Sequence, residues 1–125
     1  MTTAKRSAVT VRRIVTNIAT DSVPTVQKFY SDLFGLDTAM DMGWIVTLAS
    51  GEKAVTQISI MSEGGSGTPV PDVSIEVDNV DEVYRRAKAM GLKVVHGIAD
   101  EPWGVRRFFI HDPTGKLVNV LSHRS

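Results

Sequence analysis

The sequence predicts an α+β fold built from two βαβββ modules, and three observations carry that prediction. The order of elements repeats on either side of a Gly/Pro-rich stretch, EGGSGTPVP (63–71), near the middle of the 125 residues. The hydrophobic period switches from two to about 3.6 once in each half, the signature of a helix set among strands. Gly35-Leu36 is echoed by Gly91-Leu92 at an offset of 56, and AVTQISI by KLVNVLS at an offset of 62, with the six-residue difference falling in the longer connection GIADEPW (97–103). Two halves that cannot each bury a sheet face alone are expected to share one core.

Taken in order, VRRIVTNIA (11–19) is a strand and 23–34 a helix, with Val23, Val26, Phe29/Tyr30 and Leu33 at helical spacing. Pro24 suits the first turn, where its missing N–H costs nothing, and Gly35 supplies the stop. Strands follow near 37–42, 44–50 and 54–62, separated by Gly43 and Gly51-Glu52. After the linker come a strand at 72–78, a helix at about 79–90 carrying Val80, Val83/Tyr84 and Ala87 on one face, and strands near 92–99, 104–111 and 116–122. The domain organisation is therefore a basic arm, 1–10, followed by one domain, 11–125, made of a module 11–62, the linker 63–71 and a module 72–125.

Composition narrows the function classes. A chain of this length can bury roughly two thirds of its unfolded surface, enough for a core without metal or disulfide staples. With no Cys, thiolate metal sites, Cys nucleophiles and disulfide frameworks are excluded. No apolar run approaches the ~18 residues of a membrane span, and MTTAKRSAVTVRR has no apolar h-region, so a soluble, unexported, cytoplasmic protein is expected. Fourteen Lys+Arg balance fourteen Asp+Glu, which argues against a nucleic-acid partner. The balance is an average: Lys5, Arg6, Arg12 and Arg13 precede the first acidic residue, Asp21, leaving ten basic and fourteen acidic side chains beyond them.

Strand alternation sorts side chains to two faces. Val73, Ile75 and Val77 should pack under a helix, leaving Asp72, Ser74 and Glu76 on the other side. Val118 and Val120 oppose Leu117, Asn119 and Leu121; Ile58 and Ile60 oppose Val55, Gln57, Ser59 and Met61; Ile14, Thr16 and Ile18 alternate with Arg13, Val15 and Asn17. Each half thus contributes polar residues to a mixed-polarity face, which must either be covered by a second copy or serve as a ligand surface. A homodimer is expected on that ground.

Three segments, QKFYSDLFGL (27–36), VSIEVDNVDEVYRRAKAMGL (73–92) and EPWGVRRFFIHDPTGKLVNVLS (101–122), resemble the vicinal oxygen chelate superfamily, which includes glyoxalase I, bleomycin-resistance proteins and extradiol dioxygenases. The resemblance covers about residues 11–123, and its most specific piece is Pro-Trp-Gly-x-Arg followed by Asp-Pro-x-Gly before a final strand. It implies a cupped mixed sheet of two βαβββ modules around a ligand site, commonly completed by dimerisation. It also implies four metal-ligand positions, which fall at Ile14, Val15 or Thr16, then Gln57, Asp72 and Asn119. One carboxylate and two neutral amides are a poor donor set for a divalent transition metal, so no metal and no cofactor are expected. His96, His111 and His123 stand isolated in the sequence and read as structural or exposed.

The non-metal members that the chain resembles are mainly binding proteins. Trp44 and Trp103, beside glycines at strand edges, can stack on a flat ligand or hold a cation, or can instead fill the core. Met40, Met42 and Met61 can add an adaptable apolar wall. Asp72 and Glu76 share a face with Gln57 and Asn119 as possible neighbours, and a carboxylate in half-apolar surroundings can have a raised pKa and act as a base. Arg107 and Phe109 share a face by alternation, and burial of that Arg requires a partner, for which Asp72 or Glu76 is a candidate. The reading is a metal-independent protein binding a small, partly aromatic organic molecule in a dimeric cup through Trp44, Gln57, Asp72, Glu76, Trp103, Arg107, Phe109 and Asn119. The alternatives are an isomerase or lyase using Asp72 or Glu76 as base on a small carbonyl substrate, a metal-dependent glyoxalase or dioxygenase with atypical ligands, and a subunit whose face is a protein contact.

Overall fold

The computed structural model describes residues 9–51 and 57–124. Eight strands and two helices follow one another as β1 (Val11–Ala19), α1 (Val23–Phe34), β2 (Asp37–Asp41), β3 (Ile45–Ala49), β4 (Gln57–Met61), β5 (Val73–Val77), α2 (Val80–Ala89), β6 (Val94–Glu101), β7 (Val105–His111) and β8 (Leu117–His123). This is the α+β class and the twice-repeated βαβββ order that the sequence predicts. Residues 1–8 of the basic arm and the predicted start of the fourth strand at 54–56 lie outside the described residues.

The chain forms two compact units: Val15–Val73, and the residues up to Ile14 together with Ser74–Ser125. The boundary therefore runs through β1 and β5 and not through the linker, so residues 11–14 belong with the later half of the chain.

In the unit Val15–Val73 the strand order is β2-β3-β4-β1. β4 pairs antiparallel with β3 (Thr47↔Ser59) and parallel with β1 (Ile18↔Ile60), so the sheet is mixed. α1 covers one face. Pro24 occupies its first turn, and Gly35, at φ 68°, closes it by donating its N–H to Ser31 O at 2.9 Å. Val23, Val46, Leu48 and Ile60 form the core beneath it, joined by Val26, Tyr30, Leu36 and Ile58. The opposite face buries a hydroxyl pair, Thr47 Oγ1 and Ser59 Oγ, 2.7 Å apart. Alternation along β4, Ile58 and Ile60 inward and Ser59 outward, is as read from the sequence.

In the other unit the order is β5-β8-β7-β6, with β7 antiparallel to both neighbours. α2 is capped as its sequence demands: Asn79 accepts from the Glu82 N–H at 3.2 Å, Asp81 and Glu82 sit in the first turn, and Arg86 and Lys88 in the last, matching the helix dipole. Tyr84 meets Phe108 edge-on at 5.0 Å, and Val80, Ala87, Phe108, Val118 and Val120 are buried. β6 is as long as predicted but displaced by two residues, running Val94–Glu101 where 92–99 was expected. Most of the segment expected to be a connection continues the strand as far as Glu101, with register shifts between Val94 and His96 and between His96 and Ala99. Such bulges insert unpaired residues without ending the ladder, which hides the strand's end from a period-two reading.

Candidate functional site

The face of the second unit turned away from α2 gathers five of the eight predicted site residues. Phe108 and Arg106 point to the helix, the former onto Tyr84 and the latter onto Asp81 at 3.0 Å. Arg107 and Phe109 therefore point the other way. Cross-strand register sets Asn119 beside Phe109 and Leu121 beside Arg107. Ser74 joins the same face, accepting from Asn119 Nδ2 at 3.0 Å.

Arg107 is buried, with its side chain 3% exposed. Its guanidinium carbon lies 4.9 Å from the Trp103 ring and 4.7 Å from the Phe109 ring, a cation held between two aromatic faces. Its carboxylate partner is Glu101, bound at 2.8 Å from Nε, not Asp72 or Glu76 as the sequence suggested. The extended β6 explains the difference, because Glu101 pairs with Val105 and so reaches the face that carries Arg107. Burial pushes the Arg107 pKa down, and the bond to Glu101 opposes that shift. The same Glu101 oxygen lies 3.0 Å from His96 Nε2, and the His96 ring packs against Phe109 at 5.2 Å. His96, read as isolated, is thus part of a Trp103–Arg107–Glu101–His96 assembly.

Glu76 lies at the β5 end of this face and is bound on both oxygens: Arg13 Nε donates to Oε1 at 2.7 Å, and His123 Nδ1 lies 2.8 Å from Oε2. Partial burial pushes its carboxyl up, but the bonds from His123 and Arg13 outweigh burial and hold it below its ordinary value. The expectation of a raised carboxyl at Glu76 therefore fails, since an ionised group already paired twice is a poor proton acceptor. His123 likewise is not isolated. Arg13 and Ser74 were missed as participants because each meets its partner on a strand distant in sequence, and Glu101 because it fell in the segment expected to be a connection.

Asn119 is 8% exposed, and its amide nitrogen is used by Ser74. Its Oδ1 is buried and has no hydrogen-bond partner among the described residues. A buried orphan acceptor costs about 1–3 kcal/mol, so its presence beside Phe109 and the apolar Leu117 and Leu121 calls for a reason.

The remaining predicted residues lie in the unit Val15–Val73. Gln57 pairs with Ala49, whereas Trp44 precedes Ile45, which pairs with Met61, so the two occupy opposite ends of the β3–β4 ladder. The structure does not bring them together. The Trp44 carbonyl accepts from the Ser62 N–H at 2.9 Å, and the Asp72 carbonyl accepts from the Asn17 N–H at 3.2 Å. Of the expected methionine wall, Met61 is buried in the sheet and Met42 is 38% exposed.

The ligand positions implied for a metal carry poor donors: the first falls at Ile14, Val15 or Thr16, none a usual ligand, Gln57 and Asn119 are amides, Asp72 is the one carboxylate, and the Asn119 nitrogen is occupied by Ser74. Among the described residues no three His, Asp or Glu side chains gather in a group able to hold a metal ion. The residues present do not fit a transition metal.

A model of the family described as the Glyoxalase/Bleomycin resistance protein/Dioxygenase superfamily matches residues 12–120. No curated protein matches the sequence. Among solved structures, the chain is similar to methylmalonyl-CoA epimerase from Mycobacterium tuberculosis at 18% identity and a TM-score of 0.65, over 89% of this chain and 87% of that one. It is similar to a glyoxalase/bleomycin resistance protein/dioxygenase superfamily member from Vibrio splendidus 12B01 at 16% identity and a TM-score of 0.63, over 90% and 99% of the two chains. A structure described as NAD-dependent benzaldehyde dehydrogenase from Legionella pneumophila aligns at 12% identity and a TM-score of 0.72, over 90% and 100%. At these identities the likeness establishes the fold alone, and the diversity of the names illustrates how little a fold fixes chemistry.

Proposed function

The chain belongs to the glyoxalase/bleomycin resistance protein/dioxygenase superfamily, and from that premise we propose that it is a metal-independent member that binds a small, partly aromatic organic molecule. The observation that carries this reading is the buried, unpartnered Asn119 Oδ1 on a face that also offers Phe109, Leu117 and Leu121. The resemblance implies a metal-ligand position at Asn119, and an amide there supplies a neutral hydrogen-bond acceptor in place of an anionic donor. A ligand N–H or O–H would satisfy the orphan oxygen while its flat apolar part packs on the neighbouring rings. Binding energy of this kind comes from a few placed polar groups in an apolar setting.

A homodimer completes the reading. Phe29, Leu33 and Phe34 present an exposed apolar row on α1, 56–62% accessible, which a second copy would cover. No helix of the described residues is long and apolar enough to cross a membrane. The isomerase or lyase alternative draws less support, because Glu76 is held ionised between Arg13 and His123.

Elemental analysis of protein purified without chelator, together with ligand-observed NMR on a panel of small aromatic amides, tests the proposal. The expected result is no stoichiometric metal and binding that Asn119→Leu abolishes. One equivalent of Zn, Ni, Fe or Mn per chain, lost on mutating Gln57 or Asp72, refutes it.

A further inference from the structure

Charge is divided between the two units. Val15–Val73 holds seven acidic side chains against Lys28 and Lys53, a formal −5, while the residues up to Ile14 and from Ser74 onward hold twelve basic against seven acidic, a formal +5. Among the described residues alone the contrast is −5 against +3. A second copy of such a chain is attracted in arrangements that set unlike units together and repelled where like units meet.

The acidic unit carries the exposed apolar row of α1. Phe29 and Leu33, one turn apart, and Phe34 beside them are 56%, 60% and 62% accessible. Tyr30, packed on the core beneath, stacks on Phe34 at 6.1 Å and meets Phe29 edge-on at 5.1 Å, so two of the three side chains are braced before any partner arrives. Asp32, Asp37 and Asp41 are exposed around the row, and Lys28, the one base on the helix, is bound to Asp32 at 2.7 Å. The basic unit carries a patch of matching character. Arg12 and Ile14 alternate onto the same face of β1, opposite Arg13, which turns to Glu76. Both are exposed, Ile14 to 62%, and Arg12 has no ion-pair partner among the described residues.

We infer that two copies of this chain dock through unlike surfaces: the α1 row of one copy seats on the Arg12 and Ile14 patch of the other, and two-fold symmetry repeats the contact in reverse. The inference rests on the homodimer of the preceding reading and specifies its surfaces. Ile14 packs on the aromatic row, and Arg12 faces the carboxylates that flank it. The competing arrangement, α1 against α1, covers the same apolar row but sets Asp32, Asp37 and Asp41 against their own copies, and like charges brought together at an interface cost affinity.

The test is sedimentation velocity of the full chain, with far-UV circular dichroism to confirm that each variant is folded. The wild type is expected to be a dimer whose Kd rises several-fold between about 50 mM and about 500 mM NaCl, as unlike charges are screened. Leu33→Asp with Phe34→Asp, and separately Ile14→Asp, each raise Kd by about 30-fold or more, the cost of losing an interface hot spot. Arg12→Glu, which leaves every apolar contact in place, raises it as well, whereas Met90→Asp, at an exposed apolar site outside both patches, does not. Mixing the α1 variant with Ile14→Asp restores association, because the mixed dimer keeps one of its two contacts whole. A dimer that survives Ile14→Asp and Arg12→Glu, or a mixture no more associated than its components, overturns the inference and leaves the homodimer standing. A wild type that stays monomeric at about 100 μM overturns both.

Discussion

Replacing Glu101 by Leu strands the Arg107 guanidinium in the interior, and the size of the effect follows from the burial of both partners. Their side chains are 3% and 6% exposed, so neither charge can recover water without opening the sheet face. Breaking one half of a buried pair costs about 3–5 kcal/mol, because the surviving charge loses its counter-charge and keeps its desolvation penalty. Trp103 and Phe109 offset part of this, at about 0.5–2 kcal/mol for a cation on aromatic faces, but both contacts exist before the mutation and add nothing new. For 125 residues at about 2.1 cal/mol/K each, the unfolding entropy is about 0.26 kcal/mol/K, and the loss corresponds to a fall in Tm of about 10–20 °C. Glu101→Gln, which keeps an acceptor oxygen near Nε and His96, should fall between wild type and Glu101→Leu. Arg107→Met combined with Glu101→Leu should recover most of the stability, since an apolar pair of similar volume pays no desolvation. Urea unfolding of these four proteins and of Arg107→Met alone, at constant m, reads the coupling. A Glu101→Leu cost below about 1 kcal/mol, the range of exposed pairs, or a double variant no better than the single, would refute the reasoning.

Three further outcomes follow from other parts of the molecule. Phe108, fully buried against Tyr84, should cost about 3–5 kcal/mol on truncation to Ala, measured by the same unfolding assay. Glu76 has a folded-state carboxyl below its ordinary value of 4.5, so its contribution to stability is complete above that pH and is lost as pH falls through the lower folded value; Glu76→Gln should flatten the stability profile in that acid window and leave its neutral-to-alkaline shape unchanged. A Cβ at Gly64 would stand 2.0 Å from the Pro69 carbonyl oxygen and 2.3 Å from Thr68 Oγ1, so Gly64→Ala should open the 63–71 turn, seen as faster amide exchange at Gly64 and Thr68 with the rest of the chain unchanged.

Much of the fold was legible because its signals are local. Pro24 and Gly35 bound α1, Asn79 and the charges of α2 define its ends, and the alternation of β4, β7 and β8 sorts helix-facing from opposite-facing side chains without reference to any partner strand. The same alternation correctly paired Arg107 with Phe109 and separated both from Arg106 and Phe108. The end of β6 at Asp100–Glu101 was not legible, because the bulges before it break the period on which strands are recognised.

By itself the sequence determined the α+β class, the repeated element order, the family and, outside the bulged β6, the alternation that sorts strand residues to two faces, since propensity, capping and period act within a few residues. Only the tertiary structure decided who meets whom on that face. Glu101 and not Asp72 or Glu76 neutralises Arg107, Arg13 and His123 claim Glu76, Trp44 stands a ladder's length from Gln57, and Asn119 keeps one amide oxygen unspent. Those pairings depend on strand register and on a bulge, which are set by contacts between segments as many as 63 residues apart and which no local pattern encodes.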